Sequence, residues 1–131
     1  MNFLQRLFGK PRVSGKIIAA RVTKIDKHPN ADRLQVVALF DGQQTVAPVV
    51  CGAFNFQVGD IVALALPGAP IAHNIHSPEH EPFTLDKATI RGVESQGMIC
   101  AAFELAKSDT PSEKPEIMVL PPQTKPGTIL G

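Results

Sequence analysis

The stretch KATIRGVESQGMICA, from Lys87 to Ala101, carries side chains that could bind a nucleic acid. If its first half is a strand, Lys87 and Arg91 share one face, because successive side chains of a strand point to opposite sides. Gly92 and Gly97 bracket a polar bend, and a residue without a Cβ lets the backbone turn sharply or a ligand approach closely. Cations, a hydroxyl, an amide and a thioether at such a corner suit a phosphate backbone and an unstacked base. The candidate RNA ligands here are Lys87, Arg91, Ser95, Gln96 and Met98. The alternative is an ordinary polar loop between core strands.

Side chains that could act as nucleophiles do not form a catalytic pattern. Ser95 lies two residues before Gly97, but Val93 occupies the other glycine position of a G-x-S-x-G elbow. Cys51 and His28 could form a thiolate pair, yet Cys51 ends an apolar run, which is the setting of an inert thiol. There is no phosphate-binding loop and no dinucleotide fingerprint. The sequence therefore predicts no catalytic residue and no cofactor.

Three of the four histidines, His73, His76 and His80, lie in the polar segment 71–82. Pro78 interrupts their run, which lacks the regular spacing of a helical or finger-type metal site. We therefore interpret the segment as an excursion from the sheet and predict no metal ligands.

The net charge of +1 conceals an uneven distribution of charge along the chain. Residues 1–33 carry eight Lys or Arg and two Asp, whereas the remainder carries five basic and ten acidic side chains. Such asymmetry is typical of a protein with one basic face for a polyanion. The alternative is a solvated basic arm without a partner.

The composition fits one globular domain that can bury a core, since 44% of its 131 residues are hydrophobic and 19% charged. The sequence has no apolar run near the ~20 residues of a membrane span and no signal-peptide pattern at its start. Cys51 and Cys100 lie in apolar runs too far apart for a metal motif, and we expect no disulfide. We therefore predict a cytoplasmic protein without a membrane partner.

Short apolar runs separated by Pro and Gly predict a mostly β protein. Strands are expected over 13–26, 34–40, 44–51, 61–66 and 117–120, and on either side of the bend between Gly92 and Gly97. Asp41 and Gly42 are typical of a two-residue hairpin turn. We expect a helical turn over 103–107, and residues 2–8 could form a short helix.

These elements suit an all-β, five-stranded Greek-key barrel with short helical turns, the OB-fold. An SH3-like barrel or a small sandwich is the structural alternative. The chain divides into an N-terminal arm or short helix, residues 1–12, and an OB-fold domain, residues 13–131. The OB-fold has a functional implication, because its sheet face and adjoining loops bind oligonucleotides.

Several motifs in the same order resemble the tRNA-binding OB domain of the phenylalanyl-tRNA synthetase β subunit. They are HPNADRL at 28–34, VVCGAFNFQVGD at 49–60, ALPGA at 65–69, KATIRGVESQGMICA at 87–101 and IMVLPPQTKPGT at 117–128. Similar domains occur in the C-terminal part of some methionyl-tRNA synthetases and as free-standing tRNA-binding proteins. The resemblance implies an OB-fold that binds tRNA by shape and backbone, without chemistry of its own.

Carried over by motif, the resemblance places Asn30, Arg33, Arg91, Ser95, Gln96 and Met98 at the RNA surface. The implied partners are tRNA and a synthetase subunit, and a homodimer is a further option. The leading hypothesis is a tRNA-binding module, either free-standing or part of a longer synthetase chain. A small OB-fold module that binds proteins, in the manner of a chaperone, is the second hypothesis. The third is an enzyme that uses the histidine segment as a metal site.

Overall fold

The computed structural model describes residues 14–131, and its regular structure is almost entirely β. The predicted N-terminal arm, residues 1–12, lies outside the described residues. No helix within residues 14–131 is long and apolar enough to cross a membrane. The elements in chain order are β1 (Ile17–Lys27), β2 (Gln35–Phe40), β3 (Thr45–Cys51), β4 (Ile61–Ala65), β5 (Pro70–Ile71), β6 (Phe83–Thr84), β7 (Ala88–Ile90), β8 (Val93–Ser95), β9 (Met98–Ile99), a 3-10 helix (Phe103–Leu105) and β10 (Val119–Leu120).

The long strand β1 joins the two halves of the main sheet, in which all pairing is antiparallel. Up to Arg21 it pairs with β4, and from Arg21 onward it pairs with β2. A bulge between Val22 and Lys24 interrupts the register with β2, and an extra residue in one strand bends and twists it. The strand order is β10-β4-β1-β2-β3, and β9 also pairs with β4. The curled sheet is an OB-like barrel, so the predicted fold class is confirmed.

Apolar side chains are buried on both faces of the sheet around β1 and β4. Ile18 and Leu64, directly opposite each other, belong to the cluster inside the barrel. Ile17 and Ala65, the next pair, belong to a second cluster on the opposite face. All five residues of β4 are buried, because this strand serves both clusters.

The hairpin formed by β7 and β8 lies outside the main sheet and packs against β3. The Gln96 N–H donates to the Pro48 carbonyl (2.8 Å), and the Val50 N–H donates to the Ser95 hydroxyl (2.9 Å). These bonds fix the base of the hairpin beside the edge strand β3.

The tail after β10 pairs with the first half of β1. The Gly127 N–H donates to the Ala19 carbonyl (2.7 Å), and the Leu130 N–H donates to the Ile17 carbonyl (2.8 Å). The proline-rich tail is therefore part of the barrel wall.

The turn between β2 and β3 has four residues instead of the predicted two. Phe40 pairs with Thr45, and the Asp41 carboxylate accepts hydrogen bonds from the N–H groups of Gln43 and Gln44 (2.8 Å each). Asp favours such turns because its side chain satisfies nearby backbone donors. The predicted antiparallel pairing is confirmed, but the two-residue turn is wrong.

The single polar bend predicted between Gly92 and Gly97 is also wrong. Strand β8 occupies residues Val93–Ser95, inside the predicted bend. Gly92 belongs to the turn before β8, and Gly97 to the short connection between β8 and β9. The stretch therefore makes a hairpin and then a separate return to the main sheet.

Candidate nucleic-acid interface

The loop 28–34 between β1 and β2 is closed by its own hydrogen bonds. The His28 N–H donates to the Leu34 carbonyl (3.2 Å), and the Leu34 N–H donates to the Ala31 carbonyl (3.4 Å). The His28 ring is buried, and its Nδ1 accepts the Asn30 N–H (3.0 Å). This acceptor role leaves the proton on Nε2, which donates to the carbonyl of Ile90 (2.9 Å). The ring thus bonds both its own loop and the neighbouring hairpin.

The tip of the β7–β8 hairpin is a two-residue turn formed by Arg91 and Gly92. Both residues have positive φ, 52° and 88°, which is the geometry of the tight turn that matches strand twist. The Asn30 Nδ2 donates to the Arg91 carbonyl (2.9 Å). A Cβ built on Gly92 would lie 3.3 Å from the same Asn30 nitrogen, so a glycine allows this close approach. The two predicted motifs HPNADRL and KATIRGVESQGMICA therefore meet at Asn30 and Arg91.

Basic side chains project from both segments that meet here. Arg33 in the loop, Lys87 before β7 and Arg91 at the tip are all exposed. Lys27 lies 3.4 Å from Asp32, an ion pair between exposed side chains that contributes little stability. The loop and hairpin therefore present cations to solvent. The predicted strand with Lys87 and Arg91 on one face is wrong, because Lys87 precedes β7 and Arg91 lies in the turn after it.

Ser95 is not at the surface, which corrects its predicted position. The side chain is 3% exposed, accepts the Val50 N–H and donates to the Gly97 carbonyl (2.8 Å). With both its donor and an acceptor site used inside the protein, Ser95 has no hydroxyl to offer a ligand.

Gln96 lies at the base of the hairpin and Met98 begins β9 of the main sheet, and both side chains are half-buried. The Gln96 amide donates to the Glu94 carboxylate (3.2 Å). Met98 packs against the second apolar cluster, as do the partly buried Phe83 and Leu85. The structure therefore brings Asn30 and Arg91 together, and RNA contacts by the half-buried Gln96 and Met98 stay predictions.

Two features were absent from the predicted site, one in this region and one at the opposite end of the β1–β2 ladder. His28 was considered only as a partner for Cys51, although both of its ring nitrogens bond elsewhere. Arg21 lies over the ring of Phe40 (5.1 Å to the centroid), and the two residues face each other across β1 and β2. Strand alternation marks Arg21 as outward-facing, but its aromatic neighbour depends on a register that the sequence does not specify.

The histidine segment forms an arm over the 3-10 helix. The His73 ring stacks on Phe103 (4.5 Å between centroids), and the His80 ring meets Phe103 edge-on (5.1 Å). The Ala72 N–H donates to the Glu104 carbonyl (2.9 Å). Among residues 14–131, no group of three or more His, Cys, Asp or Glu is arranged to hold a metal ion. Two of the histidines thus serve as packing groups.

The two cysteines are buried thiols. Burial raises the pKa of Cys51 and of Cys100 above the ordinary value of a thiol, and the nearby Glu104 carboxylate adds to the increase. Burial also raises the pKa of Glu104, whose carboxylate accepts the Ala101 N–H (2.8 Å). A raised thiol pKa disfavours the thiolate, which is the reactive form of cysteine.

Comparison with known proteins gives one consistent result. Residues 17–129 match a family described as "Putative tRNA binding domain". The phenylalanine–tRNA ligase beta subunit of Chlamydia caviae is 53% identical over 89 residues, which are 68% of this chain and 11% of that protein. The corresponding subunits of Chlamydia pneumoniae and Anaeromyxobacter dehalogenans are 42% and 40% identical, each over 88% of this chain. The chain spans only 11% to 14% of the length of these relatives.

Proposed function

Because the chain belongs to the family of tRNA-binding domains, matched over residues 17–129, we propose that it binds tRNA where loop 28–34 meets the β7–β8 hairpin. The observation that carries this proposal is the hydrogen bond from the Asn30 amide to the Arg91 carbonyl (2.9 Å). It joins the segment carrying Arg33 to the segment carrying Lys87 and Arg91. Arg33 and Arg91 then lie on two segments that contact each other, and Lys87 lies farther along the same hairpin, before β7.

Contacts with the phosphate backbone account for the binding. A guanidinium group presents a planar fork of donors that fits two phosphate oxygens, and a lysine adds a point charge. Such contacts fix the position of the RNA without reading its sequence, so recognition rests on the shape of the tRNA. Arg33, Lys87 and Arg91 make these contacts, and Asn30 holds Arg91 in place. Direct RNA contacts by Gln96 and Met98 stay predictions, which their half-buried positions do not favour.

The domain acts as an auxiliary part of a phenylalanine–tRNA ligase beta subunit or of a related chain, and does no chemistry itself. Support for this role comes from the beta-subunit relatives, of which the chain matches a small part. The buried, hydrogen-bonded hydroxyl of Ser95 and the buried thiol of Cys51 both lack the exposure that a nucleophile needs. The ligase active site would then lie outside the matched segment.

A titration of the chain with tRNA over a series of salt concentrations tests the proposal. We expect the logarithm of the affinity to fall linearly with the logarithm of the salt concentration, because each neutralised phosphate releases counterions. Arg91→Ala should weaken binding and reduce this slope by about one unit. Affinity that does not change with salt would favour the protein-binding hypothesis.

Lys114→Ala is the control for a loss of charge alone. Lys114 is exposed in the segment 108–116, beside the 3-10 helix and far along the chain from the proposed surface. We expect its substitution to leave affinity and slope close to wild type, and an effect equal to that of Arg91→Ala would contradict the proposed location.

The homodimer stays a prediction that sedimentation equilibrium of the purified chain can test.

A further inference from the structure

His28 has no access to a ligand, since its side chain is 2% exposed. Its ring nevertheless bonds both segments of the proposed RNA surface: Nδ1 accepts the Asn30 N–H (3.0 Å), and Nε2 donates to the Ile90 carbonyl (2.9 Å). Ile90 immediately precedes Arg91. One buried ring therefore links the backbone of loop 28–34 to the backbone of the hairpin, next to the exposed arginine.

The hairpin needs such a link because it is a separate two-stranded sheet. A two-stranded hairpin alone is marginally stable in water. At its base, Ser95 and Gln96 attach it to β3, but these bonds lie at the end opposite the turn. At its tip, the bonds from His28 and Asn30 reach the carbonyls of two consecutive residues, Ile90 and Arg91.

The backbone of Arg91 also requires external support. Its φ of 52° lies in the left-handed region, which costs a residue with a Cβ roughly 1 kcal/mol. Such a conformation persists where the surroundings impose it. The bonds to the Ile90 and Arg91 carbonyls, which lie on either side of the Arg91 Cα, supply that constraint.

We infer that His28 is a positioning residue for RNA binding, which ties the Arg91 turn to loop 28–34 so that their cations form one preorganised surface. This inference rests on the proposed function. Preorganisation matters because a mobile arginine must be ordered when RNA binds, at a cost to affinity. Without the His28 bond to Ile90, the hairpin tip would keep only its bond to Asn30.

Substitution by Asn and by Gln separates the two bonds of the ring. An Asn oxygen lies near the position of ring Nδ1 and can keep the acceptor for the Asn30 N–H. A Gln amide nitrogen reaches the position of ring Nε2 and can keep the donor to the Ile90 carbonyl. His28→Asn should therefore release the hairpin, whereas His28→Gln should hold it.

We expect His28→Asn to bind tRNA about three- to tenfold more weakly than wild type, as for one lost hydrogen bond, and His28→Gln to recover most of the affinity. Amide hydrogen exchange should be faster over residues 86–95 in His28→Asn than in His28→Gln. Exchange over β2 serves as the internal reference. Equal affinities of the two variants, or faster hairpin exchange without weaker binding, would overturn the inference.

A double-mutant cycle distinguishes positioning from general stability. If the ring acts by placing Arg91, then His28→Asn should cause little further loss of affinity in an Arg91→Ala background. An undiminished loss would show that the ring supports the fold and not the Arg91 contact, which would also overturn the inference.

Asn30→Ala provides a second test, because Asn30 is exposed and its substitution should lower stability less than His28→Asn does. The measured quantity is again the tRNA affinity. It removes the hydrogen bond from Asn30 to the Arg91 carbonyl and leaves the buried His28 ring in place. Its effect on affinity should likewise disappear in the Arg91→Ala background. Wild-type protein that fails to bind tRNA would overturn the proposed function together with this inference, whereas wild-type binding with equally affected variants would overturn the inference alone.

Discussion

At the scale of single residues, the structure divides the predicted RNA ligands by their burial. Arg33, Lys87 and Arg91 are exposed, whereas Ser95 is in the interior. The sequence could identify Ser95 as a polar residue between glycines, but its burial depends on β3 packing beside the hairpin. That contact joins residues far apart in the chain, so no local pattern reveals it.

Ser95→Ala should therefore act on stability and not directly on RNA contacts. The substitution leaves the buried Val50 N–H without its acceptor, at a cost of about 1 to 3 kcal/mol in the free energy of unfolding. Urea denaturation measures the loss, and Ser112→Ala, at an exposed serine, is the matched control. The salt slope of tRNA binding should stay at the wild-type value. A shallower slope at unchanged stability would return Ser95 to the RNA surface.

Arg91→Gly should separate stability from binding. Glycine tolerates the positive φ at this position, so stability should equal wild type or exceed it by up to about 1 kcal/mol, while tRNA affinity falls. Ala106 offers a control, because it has a φ of 58°, is exposed and follows the 3-10 helix. Ala106→Gly should have a similar effect on thermal stability and none on tRNA affinity. Parallel loss of stability and affinity in Arg91→Gly would mean that the guanidinium stabilises the fold.

At the scale of elements, strand positions were predictable because apolar runs end at turn-forming residues. The predicted strands over 34–40, 44–51 and 61–66 match β2, β3 and β4 to within one residue at each end. Prediction failed where a distant segment decides the geometry. The turn after β2 lies against the C-terminal tail, and the hairpin tip lies against loop 28–34.

The contact between the β2–β3 turn and the tail makes Gly42 a sensitive position. Gly42 has a φ of 101°, and a Cβ there would lie 2.6 Å from the Pro126 carbonyl oxygen. Gly59 is the matched control, since its φ is 99° and a Cβ there would meet nothing within 4 Å. Both alanine variants should lose roughly 1 to 2 kcal/mol to backbone strain, and Gly42→Ala should lose about 1 to 3 kcal/mol more because the tail must shift. Equal shifts of the two urea midpoints would contradict this account of the tail.

At the scale of the whole molecule, the basic face that the charge distribution suggests stays a prediction, because three of the eight basic residues in the first 33 lie outside the described residues. The excess of basic residues in the first quarter of the chain indicated a polyanionic partner. The motifs HPNADRL and RGVESQGM indicated which residues would contact it. The juxtaposition of Asn30 with Arg91 joins residues that are 61 positions apart in the chain, so it emerged only from the structure. His28 begins the motif HPNADRL, but the sequence did not indicate its role, because a buried hydrogen-bonded ring and an exposed histidine look the same in a sequence.

The structure also separates two acidic residues that could repel RNA. Glu94 lies on β8 within the hairpin, three residues after Arg91. Glu79 lies in the histidine arm, which packs on Phe103 and the 3-10 helix. Both side chains are exposed, so a change from Glu to Gln removes one charge from each surface with little effect on packing.

Glu94→Gln should strengthen tRNA binding about two- to threefold at low salt, because a nearby negative charge opposes the phosphates within a Debye length of about 10 Å. The Gln side chain keeps an oxygen to accept the Gln96 amide, so the hairpin base is preserved. Glu79→Gln should leave the affinity unchanged, and the difference between the variants should vanish at high salt. Filter binding at several salt concentrations measures both variants. A gain for Glu79→Gln equal to that for Glu94→Gln would place the RNA across the histidine arm as well, and the surface where loop 28–34 meets the β7–β8 hairpin would no longer be the whole binding surface.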